Sequence, residues 1–194
     1  FWGNDFLVTP ITKSGVTSTE IYFPKSNNWF DFYTNEKHLA GTTETVKVNE
    51  DYIPTFVRGG SFIPMIETIQ NTSNYSLDNF NLHYYFDESV AHSNGMLYND
   101  AGVTPNAFEK EQYEAIHFSS NTSAKSLIIK IATVSGRNYI SKNKNVSVFI
   151  HNISNKAKRI FVNGKEQVYK RFSEPLLVNV NAAIGPLSEI KIEY

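Results

Sequence analysis

The chain contains no cysteine. Disulfides and thiolate zinc sites are therefore excluded. The compartment is left open by this, with a secreted or periplasmic setting placed ahead of a cytoplasmic one. An excess of charge is also missing. Eighteen Lys and Arg stand against 19 Asp and Glu, for a net charge of −1. No basic field exists to attract nucleic acid or an acidic membrane surface. No apolar run approaches the roughly 20 residues that a membrane-spanning helix needs. The chain opens on Phe1 without methionine and without a signal peptide, which reads as a segment excised from a longer protein. No stretch shows sustained 3.6-residue periodicity, so helices are expected to be few. A turn or two at Phe108 to Gln112 is the best helical candidate.

Several sites of chemistry are missing as well. His38, His83, His92, His117 and His151 are scattered, with no H-x-x-x-H or H-E-x-x-H spacing, so no metal site is expected. No dinucleotide fingerprint is present, and Gly59-Gly60 lacks the further glycines and following helix of a phosphate loop. No cofactor is expected. Asp5, Asp31, Asp51, Asp87 and Asp100 show no local pairing of the kind that glycoside hydrolysis requires, and most sit beside turn residues. No catalytic residue is therefore assigned. N-x-S/T triplets begin at Asn71, Asn74, Asn121, Asn145 and Asn152, and are read as products of abundant Asn, Ser and Thr.

What the chain has is strand. Hydrophobic residues make up 41% of 194, enough for packed cores. Aromatics reach 14%, led by Phe and Tyr, which favours β-structure. Apolar residues alternate with polar ones at Val46 and Val48, at Leu127, Ile129 and Ile131, at Val146, Val148 and Ile150, and at Ile190, Ile192 and Tyr194. This period of two marks half-buried strands. Asn163-Gly164 separates two such runs and predicts a tight hairpin, because both residues accept positive φ. Polar stretches at Ser119 to Lys125 and Ser141 to Lys144 are expected to be connecting loops. The fold class expected is all-β, with two consecutive antiparallel β-sandwich domains and little or no helix. The polar segment Gln70 to Asn79 sets the expected division, giving domains 1–78 and 79–194.

The run Tyr52-Ile53-Pro54-Thr55-Phe56-Val57-Arg58-Gly59-Gly60-Ser61-Phe62-Ile63-Pro64 reads as strand, Gly-Gly turn, strand. Upstream lie Phe1-Trp2-Gly3-Asn4-Asp5-Phe6-Leu7-Val8-Thr9-Pro10-Ile11, then Ile21-Tyr22-Phe23-Pro24-Lys25, then Trp29-Phe30-Asp31-Phe32-Tyr33-Thr34. Together, in this order, these segments resemble the region just past the catalytic barrel of glycoside hydrolase family 31, the α-glucosidase and α-xylosidase family. Asn35 stands where the family pattern usually has glycine, and Gly41 matches a later glycine. Leu97-Tyr98-Asn99-Asp100-Ala101-Gly102 is similar to the family's "LYEDDG" turn, with Asn99 in place of Glu and Ala101 in place of the second Asp. The resemblance covers residues 1 to about 115.

It implies the C-terminal β-sandwich region of a retaining exo-acting α-glycosidase, whose catalytic aspartates lie on a (β/α)8 barrel. The nucleophile motif, of the type W-x-D-M-N-E, does not occur here. The expected partner is the catalytic barrel of the same polypeptide, which the sandwiches would support. An alternative is a carbohydrate-binding module facing an oligo- or polysaccharide. Candidate carbohydrate or interdomain contacts are Trp29, Tyr33, Arg58, Tyr84 and Tyr85. Arg58 is read as a structural cation more than a sugar clamp. Alternation along Trp29 to Tyr33 sends one set of side chains to a core and the other toward an interface.

Overall fold

The structure is a computed structural model that describes residues 1–153, 156–169, 174–182 and 187–194, with backbone only at 181–182. Among the described residues, its regular secondary structure is strand apart from one 3-10 turn at Thr72–Asn74. The first third holds β1 (Phe6–Val8), β2 (Ser18–Tyr22), β3 (Trp29–Asp31), β4 (Lys37–His38), β5 (Thr43–Lys47) and β6 (Thr55–Arg58). The rest holds β7 (Phe62–Met65), β8 (Asn79–Tyr85), β9 (His92–Asp100), β10 (Tyr113–Thr122), β11 (Ser126–Ser135), β12 (Lys144–His151), β13 (Arg159–Val162), β14 (Lys165–Gln167), β15 (Leu176–Ala182) and β16 (Ser188–Glu193).

In the first unit, a four-stranded sheet of order β1-β6-β3-β4 faces the β2-β5 pair. Ile21, Phe23, Trp29 and Phe56 fill the space between them, joined by Leu7 and Val46. In the second unit, a sheet of order β15-β12-β8-β7 faces a six-stranded sheet of order β14-β13-β16-β11-β10-β9. The period-two residues Leu127, Ile129, Ile131, Val146, Val148, Ile150, Ile190 and Ile192 all lie buried in its core. Burial of each such side chain contributes roughly 1.5–3 kcal/mol, which is why the alternation fixes the register so firmly. The Asn163-Gly164 hairpin forms as expected, with φ of 50° and 76° and Val162 opposite Lys165.

Some local expectations change. Nearly all strand pairs are antiparallel, but β8 and β12 run parallel, a non-local pairing that no alternation pattern announces. Ser119 to Thr122 continue β10, and the loop is only the tight turn at Ser123 to Lys125. Lys144 opens β12 and is buried. Phe108 to Gln112 is a set of turns that ends at Glu111, whose φ is 55°. Most consequential, β6 and β7 do not pair with each other. β6 joins β1 and β3, whereas β7 joins β8. The chain therefore changes sheets at Gly59-Gly60, ahead of the polar segment Gln70 to Asn79. That segment instead delivers Leu77 into the second core.

Candidate functional site: the junction of the two sandwiches

The four-stranded sheet of the first unit is buried on both faces around β3 and β6. Trp29 and Phe56 point into the first core. Their neighbours Phe30 and Val57 point the other way and pack on Ile63 and Tyr85 of the second unit. The Gly59-Gly60 step lies within this contact. Gly59 N–H donates to Asn28 O at 2.7 Å and Gly60 N–H to Tyr85 O at 2.7 Å. A Cβ on Gly59 would sit 2.7 Å from Asp87 Oδ2 and 3.1 Å from Asn28 O, so only glycine fits. Gly60 has φ of 87°, a region that side chains rarely enter.

Polar groups tie the crossing from both sides. Asp5 Oδ1 accepts from Ser61 Oγ at 2.6 Å and from Arg58 Nη2 at 3.3 Å. Asn28 Nδ2 donates to Asp87 Oδ2 at 2.8 Å, while Asn27 Nδ2 donates to Gly59 O at 3.0 Å. The Asp87 side chain is almost wholly buried, and Lys37 Nζ lies 3.8 Å from it.

A second link uses two histidines. Asn35 adopts φ of 65°, a left-handed turn conformation that asparagine tolerates. Its Oδ1 lies 2.9 Å from His151 Nδ1. That oxygen can only accept, so His151 donates from Nδ1. His151 Nε2 must then accept from His83 Nδ1, 3.0 Å away. Tyr85 stacks on the His151 ring at 4.2 Å and 3°. Burial, and then the repulsion that a protonated His83 would add, hold the His151 pKa down to about 3. Burial also lowers that of His83. Both rings are thus neutral links of a hydrogen-bond chain. Sequence spacing could not reveal them, because they meet through the β8–β12 pairing.

The five candidates fall in different places. Trp29 is buried in the first core, and its Nε1 donates to Pro24 O at 3.1 Å. Tyr84 is buried in the second core, where its hydroxyl meets Ser120 Oγ at 2.8 Å. Tyr85 lies in the junction and Arg58 beside it. Tyr33 alone of the aromatic candidates is exposed, at 49%.

Tyr33 belongs to a row of rings that was not evident from spacing. Trp2 meets Phe6 at 6.0 Å, Phe6 meets Phe32 at 5.9 Å, Phe32 meets Tyr33 at 5.2 Å, and Tyr33 meets Tyr52 at 4.0 Å. Trp2 is 75% exposed and Phe1 72%. Successive interplanar angles of 35°, 66°, 88° and 32° keep the rings from forming one flat surface. Tilted and edge-on rings suit a packed protein interface better than a sugar-stacking platform. Among the described residues, no group of three or more His, Asp or Glu could hold a metal.

Residues 1–63, which carry this row and the Gly-Gly crossing, match the family described as "Glycosyl hydrolase family 31 C-terminal domain". This part of the chain belongs to glycoside hydrolase family 31. An alpha-xylosidase of Saccharolobus solfataricus is 33% identical over 115 residues, covering 59% of this chain and 15% of the relative. Human intestinal sucrase-isomaltase is 30% identical over 145 residues, covering 74% of this chain and 8% of the relative. The chain thus spans a small fraction of these family 31 relatives. Among solved structures, a Flavobacterium johnsoniae GH31 dextranase superposes with a TM-score of 0.84 at 20% identity, over 99% of this chain and 26% of that one. The family match stops at residue 63, whereas the fold likeness extends through both sandwiches.

Proposed function

We propose that this chain is the non-catalytic C-terminal region of a retaining α-glycosidase of family 31, and that it supports the catalytic barrel of the same polypeptide. The observation that carries the reading is the tilted aromatic row from Trp2 to Tyr52, exposed at its start and placed in the family-matched segment. Such a row left in water is an unfilled interface. A barrel seated on it would be held by the first sandwich. The hydrogen-bonded junction at Gly59-Gly60 would make the second sandwich a rigid brace behind the first. The proximal and distal units divide, in this proposal, at Gly59-Gly60 in place of residue 78, because β7 pairs with β8.

Purified alone, the chain should show no turnover of aryl α-glucosides and should self-associate at high concentration in sedimentation. Trp2→Ser with Tyr33→Ser should shift it toward monomer. Turnover by a pure sample would sink the non-catalytic reading. A strictly monomeric wild-type chain would remove the docking face. A second reading, in which the distal sandwich binds carbohydrate, is supported by a separate cleft.

A further inference from the structure

Away from the junction, the second sandwich has a cleft of about 1120 Å³. Three segments enclose it: the chain after β7, the β9–β10 connection, and the approach to β12. Its floor is an ion pair. Glu114 is fully buried, and its Oε1 lies 3.1 Å from Lys144 Nζ. Asn99 Nδ2 donates to Glu114 Oε1 at 2.7 Å, and Ser141 Oγ donates to Oε2. Both carboxylate oxygens are therefore occupied and the charge is balanced. That floor can neither act as a free base nor present a net charge to a ligand.

The walls are aromatic and aliphatic. Tyr98 is 40% exposed and is held in place by Tyr113, which stacks on it at 5.6 Å and 18°. Phe108 continues the stack behind Tyr113 at 4.8 Å. Tyr75 reaches in from the opposite segment and is 44% exposed. Its hydroxyl is near enough to Glu114 for that charge to add to the effect of burial in raising its pKa. Ile140 and Val103 stand at the rim, 91% and 83% exposed. Apolar side chains so fully wetted beside two available rings serve no packing purpose in the free chain.

The polar groups set the ligand class. Asn99 Oδ1 has no partner among the described residues, although its amide nitrogen donates twice, to Glu114 and to Tyr139. Asp78 and Asp100 on the rim face a single exposed lysine, Lys142, a balance that disfavours phosphates. Rigid rings, amide and hydroxyl groups and a neutral floor match a neutral polyol with apolar faces. Small-ligand pockets run to about 1,000 Å³, so the space exceeds the needs of one sugar ring.

We propose that this cleft binds a neutral oligosaccharide of two or more hexose units, with Tyr98 and Tyr75 against sugar faces and Asn99 Oδ1 accepting from a sugar hydroxyl. The binding reading of the distal sandwich is thereby given a location. It does not depend on the barrel-supporting role, which could fail without affecting it.

The test is titration of the purified chain with maltotriose, with isomaltotriose and, separately, with inorganic phosphate, followed by amide chemical shifts. The expected result is saturable binding of at least one trisaccharide at about millimolar concentration, near −4 kcal/mol, with shifts centred on Tyr75, Asn99 and Gly102. Tyr98→Ala and Tyr75→Ala should each weaken it about tenfold. Ile140→Ser, at a position too exposed to affect folding, should weaken it less but measurably. No saturation by either sugar at about ten times that concentration would overturn the proposal. So would phosphate binding in place of sugar, or sugar affinity unchanged in all three variants.

Discussion

Lys144→Met is expected to lower the unfolding free energy of the chain by about 3–5 kcal/mol. The substitution keeps the apolar stem but removes the ammonium that faces Glu114. The remaining carboxylate is fully buried and is left to neutral donors such as Asn99 and Ser141. Neutral hydrogen bonds do not compensate an ion withdrawn from water. Lys144 Nζ also donates to Lys142 O at 2.8 Å, so the change frees the segment leading into β12. The proper comparison is Arg159→Met. Arg159 makes two hydrogen bonds to Glu166, but both side chains are about half exposed. Water replaces such a partner readily, so the loss should be small. Urea unfolding midpoints at constant slope would separate the two cases. Similar, small losses in both variants would mean that water reaches the Glu114–Lys144 pair. Adding Glu114→Gln to Lys144→Met should recover part of the stability, because no charge is then left unpaired.

The second large effect is acid sensitivity at the junction. His151 has a folded pKa near 3, below the ordinary histidine value of about 6.5 that an unfolded chain would show. Between those limits the unfolded state takes up a proton that the native state refuses. Stability from this group is therefore complete above about pH 6.5. It falls as the pH drops toward 3, by about 1.4 kcal/mol per pH unit. The physical cause is local. A proton on His151 Nε2 would oppose the N–H that His83 directs at it, and the charge would lie in a buried site. Phenylalanine at position 151 keeps a ring against Tyr85 but cannot titrate. His151→Phe is expected to be less stable at pH 7 and to have a flatter stability profile from pH 6.5 to 4.5. Parallel profiles for the two proteins, measured by urea unfolding at each pH, would show that His151 stays accessible to protons in the fold. The link runs from Asn35 on one unit to His83 and His151 on the other. Acidification should therefore strain the β8–β12 pair first, where His83 and His151 meet, while the donation from His151 Nδ1 to Asn35 survives.

How well the residues could be read depended on how local their cause was. The strands at Leu127 to Ile131, Val146 to Ile150 and Ile190 to Ile192 were legible, because a period of two needs only neighbouring residues. The Asn163-Gly164 hairpin was legible for the same reason, since its backbone angles are set by two residues. Family resemblance was carried by segments whose order and spacing are themselves sequence properties. By contrast, the ends of Trp29 to Tyr33 were only half legible. Alternation correctly separated Trp29 from Phe30, but the sequence held no sign that Phe30 would face a second sandwich. Tyr33 lies past the end of β3 and follows a turn, not the alternation.

Sequence by itself determined the strand-rich character of this chain, its lack of cysteine chemistry, its resemblance to family 31 and the places where only glycine or asparagine could turn the backbone. Tertiary structure decided at which step the chain changes sheets, because that depends on which distant strand captures Phe62 to Met65. It also decided which aromatic rings are core and which are surface, the meeting of His83 with His151, and the pairing of Glu114 with Lys144. Each of these is a contact between residues far apart in the chain. Burial and mutual desolvation give such contacts their energy, and neither exists until the sheets have packed.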